Sequence, residues 1–477
     1  MADLRPLREW SGQPGTMTQW LPDAATLAAV HRAPASPVPP SYEQEQHLHT
    51  YRACQLHGHE MVRLVIVTWR IPGRCDSRAM TRVINAHLRR HDMYHSWFRC
   101  QDDGSIVRHV IEKPASLRFV PIEVGEVSAA ECREHVAGTP GPLEWDCFRF
   151  GVVQHEDSFT FFGSVDHLHA DASLIPILFH EIHQDYRALV EGTELRRLRP
   201  AARYVDYCAR QRERAAALTP SEPAVVDWVD FLRRNHGGLP RFPLPLGDAG
   251  AFGPAEHVTV GILDAAETAQ FKSACVAAGA RVIGGLLACA ALSERELTGS
   301  GSYNVFTPVT TRKTPEEFRT NGWFVGILPV SIDVTDGTFE AVTFEAAARA
   351  AQRCFDERGH LADIPLAPVL QLAGSLPARD ASAAWPVMLS YVDAHLPPMN
   401  ARSAKEWFES NGTVYLNPGV AGQVSLWFCR TPSGLSLTAA YPANATARAS
   451  IARYIDACTE TCRRVAACAP AIPAAAD

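Results

Sequence analysis

The stretch SVDHLHADASL, residues 164–174, carries the side chains best suited to chemistry. Asp166, His167, His169 and Asp171 stand close together there. Three readings fit them. In the first, His167 is a general base, because an imidazole titrates near working pH and can take a proton and return it. Asp171, four residues on, then holds the local backbone or an arginine. In the second, His167, His169 and Asp171 form HxHxD, the start of the metallo-β-lactamase-type motif. Its closing His is missing, because Ala172 stands there, and no second ligand set is evident. In the third, the same polar groups only cap a strand end and a helix start.

The flanking pattern shows what must position them. SFTFFGSV (158–165) reads as a strand. After it, Leu174, Leu178, Ile182, Tyr186 and Leu189 form one helical face, with Ser173 as cap and Pro176 in the first turn. Such a junction carries side chains to the rim of a sheet. Upstream, MVRLVIVTWRI (61–71) reads as a strand. Met80, Val83, Ile84, His87, Leu88 and His91 predict the buried face of a helix over 77–91. His87, His91 and His95 recur every four residues, which could suggest a metal, but the helix ends before His95 and structural roles are expected.

Strands are predicted at 94–98, 106–111 and 148–153, and an extended arm at APASPVPP (33–40). Residues 236–254 are dense in Gly and Pro and read as a linker. Beyond them, Asp264 and Glu267 have capping-box spacing, and a small-residue helix follows in RVIGGLLACAAL. Strands follow at 303–309, 324–332, 387–392, 423–429 and 435–441, with helices near 339–356 and 445–467. Both halves mix long strands with helices without strict alternation. The expected class is α+β, with two α/β sandwich domains at 1–235 and 256–477 joined by a linker over 236–255.

Composition sets the outer limits. The chain has 477 residues, 47% hydrophobic and 20% charged, which excludes disorder as the main state. A formal charge of -7 argues against a nucleic-acid partner. No apolar run approaches bilayer length and the N-terminus lacks a signal-type apolar core, so a cytoplasmic location is expected. The 13 cysteines are odd in number and lack CxxC spacing, which predicts buried reduced thiols. No metal is expected.

His167-Leu168-His169-Ala170-Asp171 resembles the HxxxD core of the HHxxxDG motif of condensation-domain and chloramphenicol-acetyltransferase-like acyltransferases. The resemblance is closer to the mycobacterial polyketide-associated acyltransferases that build trehalose glycolipids. It extends over 83–98, 143–171, FPLPLGD (242–248), GWFVGILPV (322–330) and 441–455, in matching order. It covers the chain from about Leu7 to about residue 468. Two positions depart from HHxxxDG: Asp166 replaces the first His and Ala172 the Gly. Ala172 would be strained if the loop needs positive φ there, and harmless if it lies in the first turn of the helix.

The resemblance implies two chloramphenicol-acetyltransferase-like domains forming a pseudo-dimer with a tunnel between them. It implies that His167 deprotonates an acceptor hydroxyl, which attacks the thioester of an acyl-CoA or of an acyl carrier protein or polyketide synthase. No further cofactor and no acyl-enzyme are implied. Asp171 would pair with Arg312, with Arg90 as the other candidate. Arg312 lies in the second half, so that pair would tie the halves together. Ser425 is a candidate oxyanion donor, and Trp323 with Phe324 would line the tunnel or pack the core. His169 is read as a packed histidine. The implied acceptor is trehalose or an acylated or sulfated trehalose. Such products are lipids, which leaves room for peripheral association with the inner face of the plasma membrane or its transport machinery. Two other functions fit the same fold: amide or ester condensation on a carrier protein, and a catalytically silent binding homologue.

Overall fold

Two seven-stranded β-sheets organise the chain, beside a two-stranded one. The computed structural model describes residues 4–195, 198–248, 253–335, 342–374, 386–394 and 401–468. Two units are distinguished. One gathers Met1–Ala216, Arg312–Phe324 and His395–Gly419, the other Ala217–Thr311, Val325–Ala394 and Val420–Asp477. Of the expected linker, residues 249–252 lie outside the described residues, and 253–255 belong to a strand.

The first unit holds a seven-stranded sheet, in the order Leu4–Pro6, Thr413–Leu416, Leu64–Pro72, Ser158–Asp166, Phe148–Gln154, Gly15–Pro22, Phe119–Val127. Leu64–Pro72 and Ser158–Asp166 are two of its interior strands, and Leu64 pairs with Asp166 at their common end. Nearly every residue of both is buried. That is why they read as continuous apolar runs and not as alternation. The helix Ser77–Arg90 packs on this unit with Met80, Val83, Ile84, His87 and Leu88 buried, as the spacing predicts. Asp76 caps it by accepting from the Arg78 and Ala79 amides.

The segment after the motif differs from a plain helix. It is α-helical over Leu174–Leu178, widens to a π-helix over Phe179–Gln184, and returns to α over Asp185–Val190. The wider turn buries Glu181, Ile182 and His183. Ser173 does not cap by its side chain. Its amide instead donates to Asp171.

The second unit holds the other seven-stranded sheet: Val325–Asp333, Ser302–Thr310, Met388–Asp393, Ser425–Thr431, Gly434–Pro442, Gly253–Asp264, Val420–Ala421. Asp264 and Glu267 form the expected capping box at the head of the helix Ala265–Ala277. Helices Val282–Thr298, Phe344–Arg358 and Ala445–Ala467 complete its core, where Phe271, Leu286, Ala348 and Ile451 share one apolar cluster. All 13 cysteines are free thiols and only Cys468 is exposed. Among the described residues no single helix is long and apolar enough to cross a membrane.

Candidate active site

The strand Ser158–Asp166 runs directly into a single 3-10 turn, His167–His169. Its backbone is held on both sides. The His167 amide donates to the Arg63 carbonyl at 2.7 Å, and Gln44 Nε2 donates to the Leu168 carbonyl at 3.0 Å. Asp166 Oδ1 accepts from the Leu168 amide at 2.9 Å, which closes the turn. With the backbone engaged in this way, the His167 side chain is what the turn presents.

His167 is half-buried, whereas Asp166, Leu168, His169 and Ala170 are buried. Its Nδ1 is buried without a hydrogen bond of regular geometry, although its own carbonyl favours the protonated ring. Burial and then the neighbouring His47 push its pKa down to about 4, against the pull of that carbonyl, Asp171 and Asp166. The ring is therefore neutral across the physiological range, as a base must be. The Trp323 indole packs against it, with ring centroids 4.2 Å apart. Trp323 thus touches the imidazole itself, beyond the lining or core role expected of it.

Asp171 is locked. Arg312 grips it with both terminal nitrogens, Nη1 to Oδ2 at 2.6 Å and Nη2 to Oδ1 at 3.2 Å. The Phe324 amide donates to Oδ2 at 3.0 Å and the Ser173 amide to Oδ1 at 2.9 Å. Arg312 also donates to the carbonyls of Glu317, Thr320 and Gly322, and its guanidinium lies 4.5 Å from the Phe324 ring centroid. Both side chains are at most 5% exposed. Such a two-pronged pair is the strong form of an ionic contact. Arg312–Phe324 belongs to the first unit, so the pair joins residues from the two sequence halves inside one unit. The other candidate, Arg90, is 2.8 Å from Glu181 and not on Asp171.

The GWF block fits this site by size. A Cβ at Gly322 would meet the Tyr204 ring at 2.5 Å and the Phe324 ring at 2.9 Å, so only glycine allows the close passage. Tyr204 hydroxyl donates to the Trp323 carbonyl at 3.0 Å, fixing the indole from behind. Ala172 is exposed and is not among the residues with positive φ, so the loop accepts alanine without backbone strain. That removes the ground on which Ala172 put the loop in doubt.

His169 is buried beside Tyr94 and Phe148, with ring centroids 6.0 and 5.9 Å away, and neither ring nitrogen has a partner. Burial holds its pKa at about 4. It is a packed histidine, turned to different neighbours from Asp171, and the HxHxD residues do not assemble into a ligand set. Ser425 opens a strand of the second unit, half-buried and paired with Ala440 and Met388.

Among the described residues, one group has the spacing of metal ligands: His87, His91 and Glu181, all buried. Its hydrogen bonds oppose a metal. The Asn321 amide donates to His91 Nδ1 at 3.1 Å, which places the His91 proton on Nε2, 2.9 Å from Glu181 Oε2. A protonated nitrogen cannot ligate. Asn321 Nδ2 donates to the Tyr94 hydroxyl, which can donate to His87 Nε2 at 3.1 Å while His87 Nδ1 faces Glu181 at 2.8 Å. Arg90 adds a cation to the same carboxylate. The network holds the Asn321 end of the Arg312–Phe324 segment. Zinc added to the purified protein should leave its melting temperature unchanged, and elemental analysis should find no stoichiometric zinc; a saturable rise in melting temperature would show a metal site.

Sequence reasoning missed His47, Arg63 and Gln44. Gln44, His47 and Leu48 form the buried face of the helix Tyr42–Leu56, which is too polar for hydrophobic periodicity to reveal. The available signal was spacing: a Gln and a His at helical intervals beside an apolar Leu, and an Arg just ahead of a strand otherwise apolar.

Comparison with known proteins places these features. The sequence profile of the Condensation domain family matches residues 46–371. Acyltransferase PapA3 of Mycobacterium tuberculosis is 41% identical over 460 residues, covering 96% of this chain and 96% of the relative. Trehalose-2-sulfate acyltransferase PapA2 of Mycobacterium bovis is 43% identical over 461 residues, again covering 96% of each. A solved structure of PapA2 acyl transferase superposes with a TM-score of 0.90 at 42% identity, over 97% of this chain and 99% of that one. The first condensation domain of the calcium-dependent antibiotic synthetase shares the fold, with a TM-score of 0.66 at 15% identity, over 90% and 96%.

Proposed function

The chain belongs to the condensation-domain family, and from that premise we propose that it is an O-acyltransferase that moves a long acyl chain from a thioester to a hydroxyl of a trehalose-type glycolipid precursor. The observation that carries this reading is near-full-length identity of 41% and 43% to two acyltransferases, one of them named for trehalose-2-sulfate. The site chemistry agrees with it. A neutral imidazole stands half-buried on a rigid turn, and the aspartate behind it is fully occupied by an arginine and two amides.

In the proposed reaction His167 takes the proton of the acceptor hydroxyl as its oxygen attacks the thioester carbonyl. The tetrahedral intermediate collapses and expels a thiolate, which takes the same proton back from His167. A ring with a depressed pKa returns that proton readily. The acyl group never resides on the protein, so none of the buried thiols has to act. Asp171 and Arg312 shape the loop and do not touch substrate. The donor is an acyl-CoA or an acyl group on a carrier protein or polyketide synthase, and no other cofactor takes part. The lipid character of donor and product favours work at the inner face of the plasma membrane.

Mass spectrometry of products tests this, with palmitoyl-CoA as donor and trehalose, trehalose-2-sulfate and an aminoacyl carrier protein as acceptors. The expected product is a palmitoyl ester of one of the sugars. An amide on the carrier protein, or no acceptor-dependent product, would overturn the reading.

The pH profile offers a second check. The base works only when neutral, and its pKa is lowered to about 4. Activity is therefore lost only as pH falls through that value, and kcat/KM should stay level down to about pH 5. Half-loss near pH 6.5, where free imidazole titrates, would contradict the environment described for His167.

A further inference from the structure

Asp166, where the family motif has its first histidine, has three polar partners at the turn. It is completely buried. Oδ1 lies 2.7 Å from His47 Nε2 and 2.9 Å from the Leu168 amide, and Oδ2 lies 2.8 Å from Arg63 Nη1. Arg63 is itself tied to the Pro140 and Thr139 carbonyls. His47 is 2% exposed, and its ring meets the edge of the Trp323 indole with centroids 5.5 Å apart. The other neighbour of that indole is His167. Two histidines from different elements thus share one indole, and one of them is paired with the carboxylate immediately preceding the other.

We infer that the His47–Asp166 pair, anchored by Arg63, is a positioning device for acyl transfer that fixes the turn presenting His167 and sets the charge of its imidazole. The inference rests on the reading of His167 as the base. A structural pair needs only the hydrogen bonds. This one also places opposite charges on either side of a titrating ring. Asp166 is ionised, because His47, Arg63 and the Leu168 amide together outweigh the cost of its burial. The His47 ring stands between that carboxylate and the indole on which His167 packs. His47 opposes protonation of His167, and Asp166 and Asp171 favour it. The other charged groups near the turn are Arg63 ahead of the strand Leu64–Pro72, Arg108, which donates to Gln44 and faces His169, and Arg312, which is absorbed by Asp171. Tyr51 and Cys147 also neighbour Asp166 and Arg63, and burial keeps both protonated.

The two partners therefore predict opposite shifts. His47→Gln keeps a hydrogen-bond donor toward Asp166 without the charge. Asp166→Asn keeps an acceptor for the Leu168 amide without the charge. The test follows the His167 ring by NMR titration of the full-length protein labelled with carbon-13 histidine, its signal assigned by loss in His167→Gln. In His47→Gln the titration should move up by about one pH unit, and in Asp166→Asn down by about the same. The acid limb of kcat/KM should move with it, while kcat at pH 8 in His47→Gln stays within about tenfold of wild type. An unmoved titration in folded His47→Gln would overturn the inference, leaving only a structural pair. Should Asp166→Asn fail to fold, His47→Gln decides alone. The ring titration needs no turnover, so it separates failure of this device from failure of His167 as the base, which activity in His167→Gln would reveal.

Discussion

His167→Ala will lose at least 10²–10⁴-fold in acyl-transfer rate, the range typical for removing a general base. The fold will survive. The side chain is half-buried, makes no hydrogen bond of regular geometry through Nδ1, and packs chiefly against one indole. The turn beneath it is held by backbone bonds to Arg63 and by Gln44, which the substitution leaves in place. Melting temperature should therefore change by only a few degrees while acceptor-dependent thiol release collapses. A variant with wild-type turnover would remove His167 from the chemistry.

Asp171→Ala will show the reverse balance. The substitution strips two hydrogen bonds from a buried guanidinium and one each from the Phe324 and Ser173 amides. Breaking one side of a buried ion pair costs roughly 3–5 kcal/mol, because the remaining charge stays out of water. Denaturant unfolding should show a loss of that size, and expression should suffer. Arg312→Ala should cost a similar amount, and the double variant much less than the sum, since the two changes remove one interaction. Full stability in Asp171→Ala would mean that Arg312 finds other partners. Activity per folded molecule should fall less than in His167→Ala, because Asp171 acts through the loop and touches no reacting atom.

The strands that carry the motif were legible because their type follows from β-branched and aromatic runs buried on both faces, as in Leu64–Pro72 and Ser158–Asp166. The helix Ser77–Arg90 was legible because its buried stripe is apolar and regular. Gly15–Pro22 and Phe119–Val127 escaped, the second being an edge strand that leaves most of its residues exposed. The helix Tyr42–Leu56 escaped because polar Gln44 and His47 stand on its buried face beside Leu48, Ala53 and Cys54. Strand pairings such as Thr413 with Thr68 have no local signature, and for the same reason nothing in sequence order placed Arg312–Phe324 in the first unit.

At the site, residue types and spacing left general base, metal ligand and cap as open readings of His167, and the resemblance to a family was needed to choose among them. It also supplied Arg312 as the partner of Asp171, which the coordinates place at 2.6 Å. What Asp166 does was invisible, since its partners His47 and Arg63 lie more than a hundred residues away in the chain. The π-turn that buries Glu181 among His87 and His91 was likewise hidden, because the apolar stripe continues through it unbroken.

The central claim is that His167 takes a proton and never the acyl group. Intact-protein mass spectrometry in a single turnover tests it most directly. With palmitoyl-CoA alone the protein mass should stay unchanged, and the sugar ester should appear only when acceptor is added. A protein heavier by one acyl group before acceptor addition, with that group passing on to the sugar, would contradict the account.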